Sequence, residues 1–308
     1  MSRVLVTGIA GGLAQRVAER LLVRGDHVVG LDYRAVATLP DALRGMTVLR
    51  ATYNKTGIED VFRKNAFDRV LHLGRVGNLK ESPGRRFDLN VVGTQKIMNL
   101  CVQHGVTRVV VLSTFHIYGA HPSNHIPISE DEPVRAGFDF PQLADAIQLD
   151  NMASTWVYQH PATSVCLLRP TNVIGPRLRN TMSDLLRSPR IPKLLGFDPM
   201  TQFLHQDDLA DAIVRAAESD VRGVFNVAGE TAIPWSAAIE LAGAKTWPVP
   251  APLAGVISRL VGAAPPYLLD FLKYPCVITD VKLREAMGWA PEVSVREAIE
   301  GTVAGVRA

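Results

Sequence analysis

Short apolar runs alternate with stretches of helical spacing through the first 170 positions of the chain. The runs Arg3–Val6, His27–Leu31, Thr47–Leu49, Arg69–His72, Arg108–Leu112 and Ser164–Leu168 are rich in Val, Ile and Leu and bounded by Gly, Asp or Pro. Near-continuous apolar strands, as opposed to strictly alternating ones, belong in a parallel sheet covered on both faces. Between them, Leu13–Arg24, Ile58–Lys64, Arg85–His104 and Gln142–Gln159 carry apolar residues at helical intervals. Right-handed crossovers then predict a doubly wound α/β fold with ligands at the carboxyl ends of the strands. Beyond position 170 the regularity fades and prolines become frequent. The expected division is a nucleotide-binding domain over 1–170 and a smaller substrate lobe over 171–308. Segment 203–228, with a strand at Val224–Val227, is expected to return to the main domain.

The first strand runs into Thr7-Gly8-Ile9-Ala10-Gly11-Gly12, followed by Leu13 at the head of a helix. Gly8 permits a tight turn, and Gly11 lets backbone approach a pyrophosphate that the helix N-terminus attracts. Many tight turns contain glycine, but this one follows a strand, opens a helix and precedes a second strand ending in Gly30-Leu31-Asp32. An acid there accepts from ribose hydroxyls and repels a 2′-phosphate, which favours NAD over NADP in a Rossmann-type domain. Arg34 works the other way, since a nearby arginine accommodates that phosphate. Ala14 stands where the pattern has its third glycine.

Bulk properties narrow the field a little. Apolar residues make up 47% of the chain and the formal charge is +3, ordinary for a globular protein and too small to suggest nucleic acid. Cys101, Cys166 and Cys276 form no CxxC pair, which fits reduced thiols in the cytoplasm and no zinc site. No signal peptide is expected before Arg3, and the longest apolar stretch, 249–272, is broken by prolines and charges.

Several further motifs occur in order: His72-Leu73-Gly74, Asn90-Val91-Val92-Gly93-Thr94, Ser113-Thr114-Phe115-His116-Ile117-Tyr118-Gly119, Leu168-Arg169-Pro170-Thr171-Asn172-Val173-Ile174-Gly175-Pro176 and Phe203-Leu204-His205-Gln206-Asp207-Asp208. Together with Leu283–Pro291 they resemble the extended short-chain dehydrogenase/reductases, the NAD-dependent epimerase/dehydratase family. The resemblance covers nearly the whole chain and is closest to a bacterial branch of sugar-epimerase-like proteins, some lacking the full catalytic set. It implies that Leu73, Gly74, Arg75, Asn90, Ser113, Pro170, Asn172 and Val173 join Gly8, Ala10, Gly11, Gly12, Leu13, Asp32 and Arg34 around the cofactor. It also implies a homodimer through helices 85–104 and 142–159. Two departures stand out: the acid after the third strand is absent from Arg50-Ala51-Thr52, and Arg75 replaces a small residue.

The reaction end departs further. In the family a tyrosine moves the hydroxyl proton, a lysine one turn later lowers its pKa, and a Ser or Thr assists. Here the six tyrosines are followed, four residues on, by Ala37, Gly57, Pro122, Ala162, Phe271 and Ile278. Family spacing puts the tyrosine near Gln142 and the lysine near Ala146, with Thr114 in the Ser/Thr position and Asp150 in the customary acidic place. Gln142 donates hydrogen bonds but transfers no proton at neutral pH. His116 is the nearest replacement in the sequence, or else a residue that merely lines the cleft. Two accounts stay open: an NAD(H)-dependent oxidoreductase with a non-standard proton donor, and a non-catalytic dinucleotide sensor or scaffold.

The substrate side is equally divided. Arg177, Arg179, Arg187, Arg190 and Lys193 suit the diphosphate of a nucleotide sugar, or form a solvated basic face. Asn172 is also expected to touch substrate. Leu253, Val256, Ile257, Leu260 and Val261, followed by Pro265-Pro266-Tyr267-Leu268-Leu269, form an apolar stripe that suits a hydrophobic ketone or alcohol, or simply the core. His205, Asp207 and Asp208 could suggest a metal site, but the resemblance implies a structural motif, with an acid capping a helix from Leu209 and no metal.

Overall fold

The computed structural model describes residues 1–36, 38–77, 81–253, 255 and 267–305. Strands β1 (Arg3–Thr7), β2 (His27–Asp32), β3 (Thr47–Arg50), β4 (Arg69–His72), β5 (Arg108–Leu112) and β6 (Ser164–Pro170) join a later strand, Gly223–Val227, in one seven-stranded sheet. Its order is Gly223–Val227, β6, β5, β4, β1, β2, β3, with parallel pairing throughout. Every carboxyl end therefore lies on one edge. The order reverses between β1 and β4, where Thr7 sits opposite His72; ligands bind at such a reversal because the crossovers leave on opposite faces.

Helices α1 (Gly12–Val23) and Gln206–Glu218 pack on one face, over Val4, Val6 and Val110. In α1 the residues Ala14, Val17, Ala18 and Leu21 are buried, the spacing of a single helical stripe. Burying Leu21 stabilises by about 1.5–3 kcal/mol. The other face carries α2 (Gly57–Lys64), α4 (Gly93–Gln103) and α6 (Ala144–Gln159), over Leu5, Val29, Val70 and Val109.

The stretch expected as one helix over 85–104 is three pieces: α3 (Pro83–Phe87), a π-helical turn over Asp88–Val92, and α4. Thr94 Oγ1 donates to the Asn90 carbonyl at 2.5 Å, and the Asn90 side chain is bound from outside the helix. Side chains competing for the ladder in this way produce such bulges. After the short α5 (Ala136–Asp139), the helix α6 likewise starts at Ala144, and Gln142 belongs to a 3-10 turn, Pro141–Leu143, before it.

Beyond residue 170, β7 (Asn172–Ile174), Met200–His205 and Ala232–Pro234 form a small sheet, and Arg190–Leu194 pairs with Lys245–Val249. Pro192, Pro234 and Pro248 lie within these strands, which is tolerable only in short, edge-rich sheets. A core around Trp235, Phe203, Ile191 and Leu268 joins these elements to Phe115, Ile117 and Tyr118. The helix expected from Leu209 begins at Gln206, and its cap is His205, not an acid: His205 Nδ1 accepts from the Asp207 N–H at 3.3 Å. Asp207 and Asp208 sit in the first turn, where the helix dipole favours them. Of the apolar stripe, Val256, Ile257, Leu260, Val261, Pro265 and Pro266 lie outside the described residues, as does the Leu253 side chain.

Candidate functional site

At the switch point, backbone does most of the shaping. Gly8 has φ +79°, and a Cβ there would meet Gly74 Cα at 2.7 Å. A Cβ on Gly12 would meet the Arg177 carbonyl oxygen at 2.6 Å. Gly11 is the N-cap of α1 in extended conformation, with no side-chain cap. The first-turn N–H groups of α1 thus have neither a helical partner nor a side-chain acceptor, an arrangement ready for a phosphate.

Asp32, fully buried, ends β2 beside this turn. One carboxylate oxygen accepts from the Ala10 N–H at 3.0 Å, and the other from the Arg34 N–H and Nε at 2.9 and 3.1 Å. Arg34 is half exposed, and its guanidinium lies 5.5 Å from the Tyr33 ring, with Arg85 5.7 Å from the same ring. Tyr53, which the sequence reading passed over, supports the turn from beneath: its hydroxyl accepts from the Gly8 N–H at 3.1 Å. Its own burial keeps that phenol well above its ordinary pKa. No spacing rule leads from residue 8 to residue 53.

The β4 end is fixed by a proton-ordered chain. Thr7 Oγ1 accepts from the N–H groups of Leu73 and Gly74, so its own hydrogen goes to His72 Nδ1 at 2.8 Å. His72 Nε2–H then faces Thr94 Oγ1 at 2.9 Å, and Thr94 donates onward to the Asn90 carbonyl. Burial pushes His72 down to about 4, so it is neutral and structural. Asn90 holds the next segment with both ends of its amide, accepting from the Val76 N–H and donating to the Val76 carbonyl. Asn90 also donates to Asp145 at 2.5 Å.

The reaction end gathers side chains from distant elements. Thr114 and His116 share a 2.8 Å contact between Oγ1 and Nδ1. The His116 ring lies 4.3 Å from Phe115, 4.8 Å from Phe271 and 5.7 Å from Tyr267, measured between centroids. Burial, with the charge of Arg75 assisting, pushes His116 down to about 3. Near neutral pH it therefore has no imidazolium proton to give. Arg86, buried, donates to the Gln142 carbonyl at 3.1 Å and lies 3.6 Å from Asp145. The Gln142 Oε1 and Arg86 Nε atoms are buried without hydrogen-bond partners. Ala146 is buried in the core beside Phe115 and Ile117.

Other candidates are occupied structurally. Ser113 donates to Asp150 at 2.6 Å, and Asp150 holds Arg169 through both oxygens, at 3.0 and 2.6 Å. Arg169 in turn donates to the Tyr118 hydroxyl, which donates to Asn226 on Gly223–Val227. Asn172 donates to the Gln202 carbonyl at 3.0 Å, Pro170 closes β6, and Val173 gives its carbonyl to Asn180. Arg177 pairs with Glu19 of α1 at 2.7 Å. Arg187 donates to the carbonyls of Leu178, Gly175 and Thr302, and Lys193 pairs with Asp198. Arg179 and Arg190 are exposed. The five basic residues thus do not converge on one anion position.

A model of the NAD dependent epimerase/dehydratase family matches residues 4–228. The chain belongs to this family. A Mycobacterium tuberculosis protein named only as uncharacterized is 30% identical over 96% of this chain and 82% of its own length. The Mycolicibacterium smegmatis UDP-glucose 4-epimerase is 28% identical over 98% of this chain and 97% of its own. Among solved structures, the Thermus thermophilus UDP-glucose 4-epimerase in complex with NAD superposes with a TM-score of 0.78 at 26% identity, covering 99% of each chain. The doubly wound sheet and the glycine turn of the family are both present in the geometry above. Among the described residues no helix is long and apolar enough to cross a membrane.

Proposed function

We propose that the chain is an NAD(H)-dependent oxidoreductase of the epimerase type, acting on a carbonyl or secondary alcohol without the family's tyrosine–lysine pair. When bound, the nicotinamide gives or takes a hydride; the chain's own residues hold the cofactor, exclude water and handle the proton. The observation that carries this reading is the glycine cradle: Gly8 and Gly12 pressed against backbone, an uncapped α1, and buried Asp32 alongside. Phosphates suit the open N–H groups, and ribose hydroxyls suit Asp32, which favours NAD over NADP.

Gln142 and Ala146 stand where the family resemblance places tyrosine and lysine, and neither transfers a proton. The rings of Phe115, Tyr267 and Phe271 around His116 favour a hydrophobic carbonyl or alcohol over a sugar nucleotide. The relatives named UDP-glucose 4-epimerase keep a nucleotide sugar as the other substrate class to assay. Gln142 and Ala146 also motivate a second reading, a non-catalytic dinucleotide sensor working in the cytoplasm.

The proposed homodimer would use the outward sides of α4 and α6. Ile97, Met98, Leu149, Trp156 and Val157, like Val91, are buried within the protomer, whereas Val92, Val102 and Tyr158 are exposed. Calorimetric titration with NAD⁺ and NADH tests the main proposal. The native chain should bind both, and Gly8→Val should weaken binding at least about 100-fold, roughly 3 kcal/mol. Undiminished binding in that variant would overturn it.

A further inference from the structure

Tyr267 is the one described tyrosine whose ring meets His116, and His116 is tied to Thr114. It reaches this place from the carboxy-terminal lobe, packing beside Phe140, Leu143 and Ile147 at the foot of α6. Four charged or titratable groups face it: Arg75 after β4, Arg86 on α3, Asp145 on α6 and His116 after β5. His116 is neutral, so the local balance is two guanidinium groups against one carboxylate. Asp145 already serves Asn90 at 2.5 Å and Arg86 at 3.6 Å. Arg75 has no ion-pair partner among the described residues, and burial makes its charge costly. A partly desolvated site with one surplus positive charge favours an anion forming inside it.

We propose that Tyr267 is the proton donor and acceptor of the reaction, with Arg75 as the positioning cation that steadies its phenolate. This rests on the reading of the chain as an NAD(H)-dependent oxidoreductase. In reduction, the Tyr267 O–H bond breaks and its proton passes to the carbonyl oxygen while the carbonyl carbon takes the hydride from NADH. The electron pair of the O–H bond stays on Tyr267 Oη beside Arg75. Oxidation of an alcohol by NAD⁺ runs the same transfers backwards, so atoms and charge balance in both directions. His116 and Thr114 orient the phenol and gain no proton. In the protein without cofactor, burial holds the Tyr267 phenol above its usual pKa, while Arg75 and Arg86 pull it down. The positive charge of an oxidised nicotinamide adds to that pull.

The test is the ultraviolet absorbance of phenolate in the full chain, with and without saturating NAD⁺, from about pH 6 to about pH 10. Calorimetry on the same samples establishes that NAD⁺ is bound. NAD⁺ should bring in one phenolate at lower pH than in the free protein, and Tyr267→Phe should lose that signal while still binding NAD⁺. Arg75→Met should move its midpoint up by about one pH unit or more, and Arg75→Lys should restore much of it. The proposal falls if NAD⁺ binds without inducing the phenolate, or if the signal persists in Tyr267→Phe. Failure to bind NAD⁺ at all would instead sink the oxidoreductase reading on which it rests.

Discussion

The two ends of the cleft are built from different materials. The cofactor end is made of backbone: a left-handed glycine, an uncapped helix terminus, and Gly8 and Gly12 pressed against the main chain of Gly74 and Arg177, with Asp32 alongside. The proposed reaction end is made of side chains drawn from five segments: Arg86 and Asp145 are buried, and Arg75, His116, Gln142 and Tyr267 are partly buried around them. A backbone site tolerates little change in residue type but needs few partners. A side-chain site can replace its chemistry piece by piece, provided each buried polar group finds a new partner. Under the proposed reading, that difference accounts for an intact glycine turn beside a site with Gln142 and Ala146 where the family resemblance places tyrosine and lysine.

The largest effect expected is on stability at the reaction end. Arg169→Met leaves the buried Asp150 carboxylate without its two-pronged partner and should cost about 3–5 kcal/mol in denaturant unfolding. A loss below about 1 kcal/mol would mean that this network is not the dry scaffold described. Next comes pH. The folded chain keeps His72 and His116 neutral down to about 4 and about 3, whereas the unfolded chain protonates both near their ordinary value of about 6.5. Below that value the unfolded state binds more protons, so stability falls as pH drops and is fully present above it. Melting temperature measured from about pH 7.5 to about pH 4.5 should fall accordingly, and His116→Phe should flatten part of the slope.

Asp32→Asn should weaken NAD⁺ binding roughly tenfold, since bonds to a charged acceptor contribute about 1.5–3 kcal/mol. Stability should change less, because the one remaining oxygen still accepts from the backbone N–H of either Ala10 or Arg34. A stability loss equal to the binding loss would blur the contrast between the two ends. The smallest effect concerns Gln142, whose Oε1 is buried without a partner. Gln142→Leu should stabilise the chain by about 1 kcal/mol, by thermal unfolding, because an unpaired buried oxygen is removed. If it destabilises instead, that oxygen has a partner and the site is more fully paired than described.

Much of the fold was legible in sequence. The six expected strands of the first 170 residues match β1 to β6 with ends shifted by two residues at most. Continuous Val and Ile runs between Gly and Asp leave few alternatives there. The small sheets beyond residue 170 were not legible, because Pro192, Pro234 and Pro248 interrupt short strands that read as loops. The π-helical turn was hidden as well: the helical spacing of 85–104 continues through it, and only the bonds of Asn90 and Thr94 reveal the break.

The sequence by itself determined the parallel sheet, the glycine turn and the acid that follows the second strand. Hydrophobic periodicity and glycine sterics are local properties that a one-dimensional pattern carries in full. Only the tertiary structure decided that Arg177 belongs to Glu19, that desolvation keeps His116 neutral, and that the Tyr267 ring meets it edge to face. Burial and charge depend on which distant segments meet. No spacing along the chain announces that positions 75, 116 and 267 come near one another.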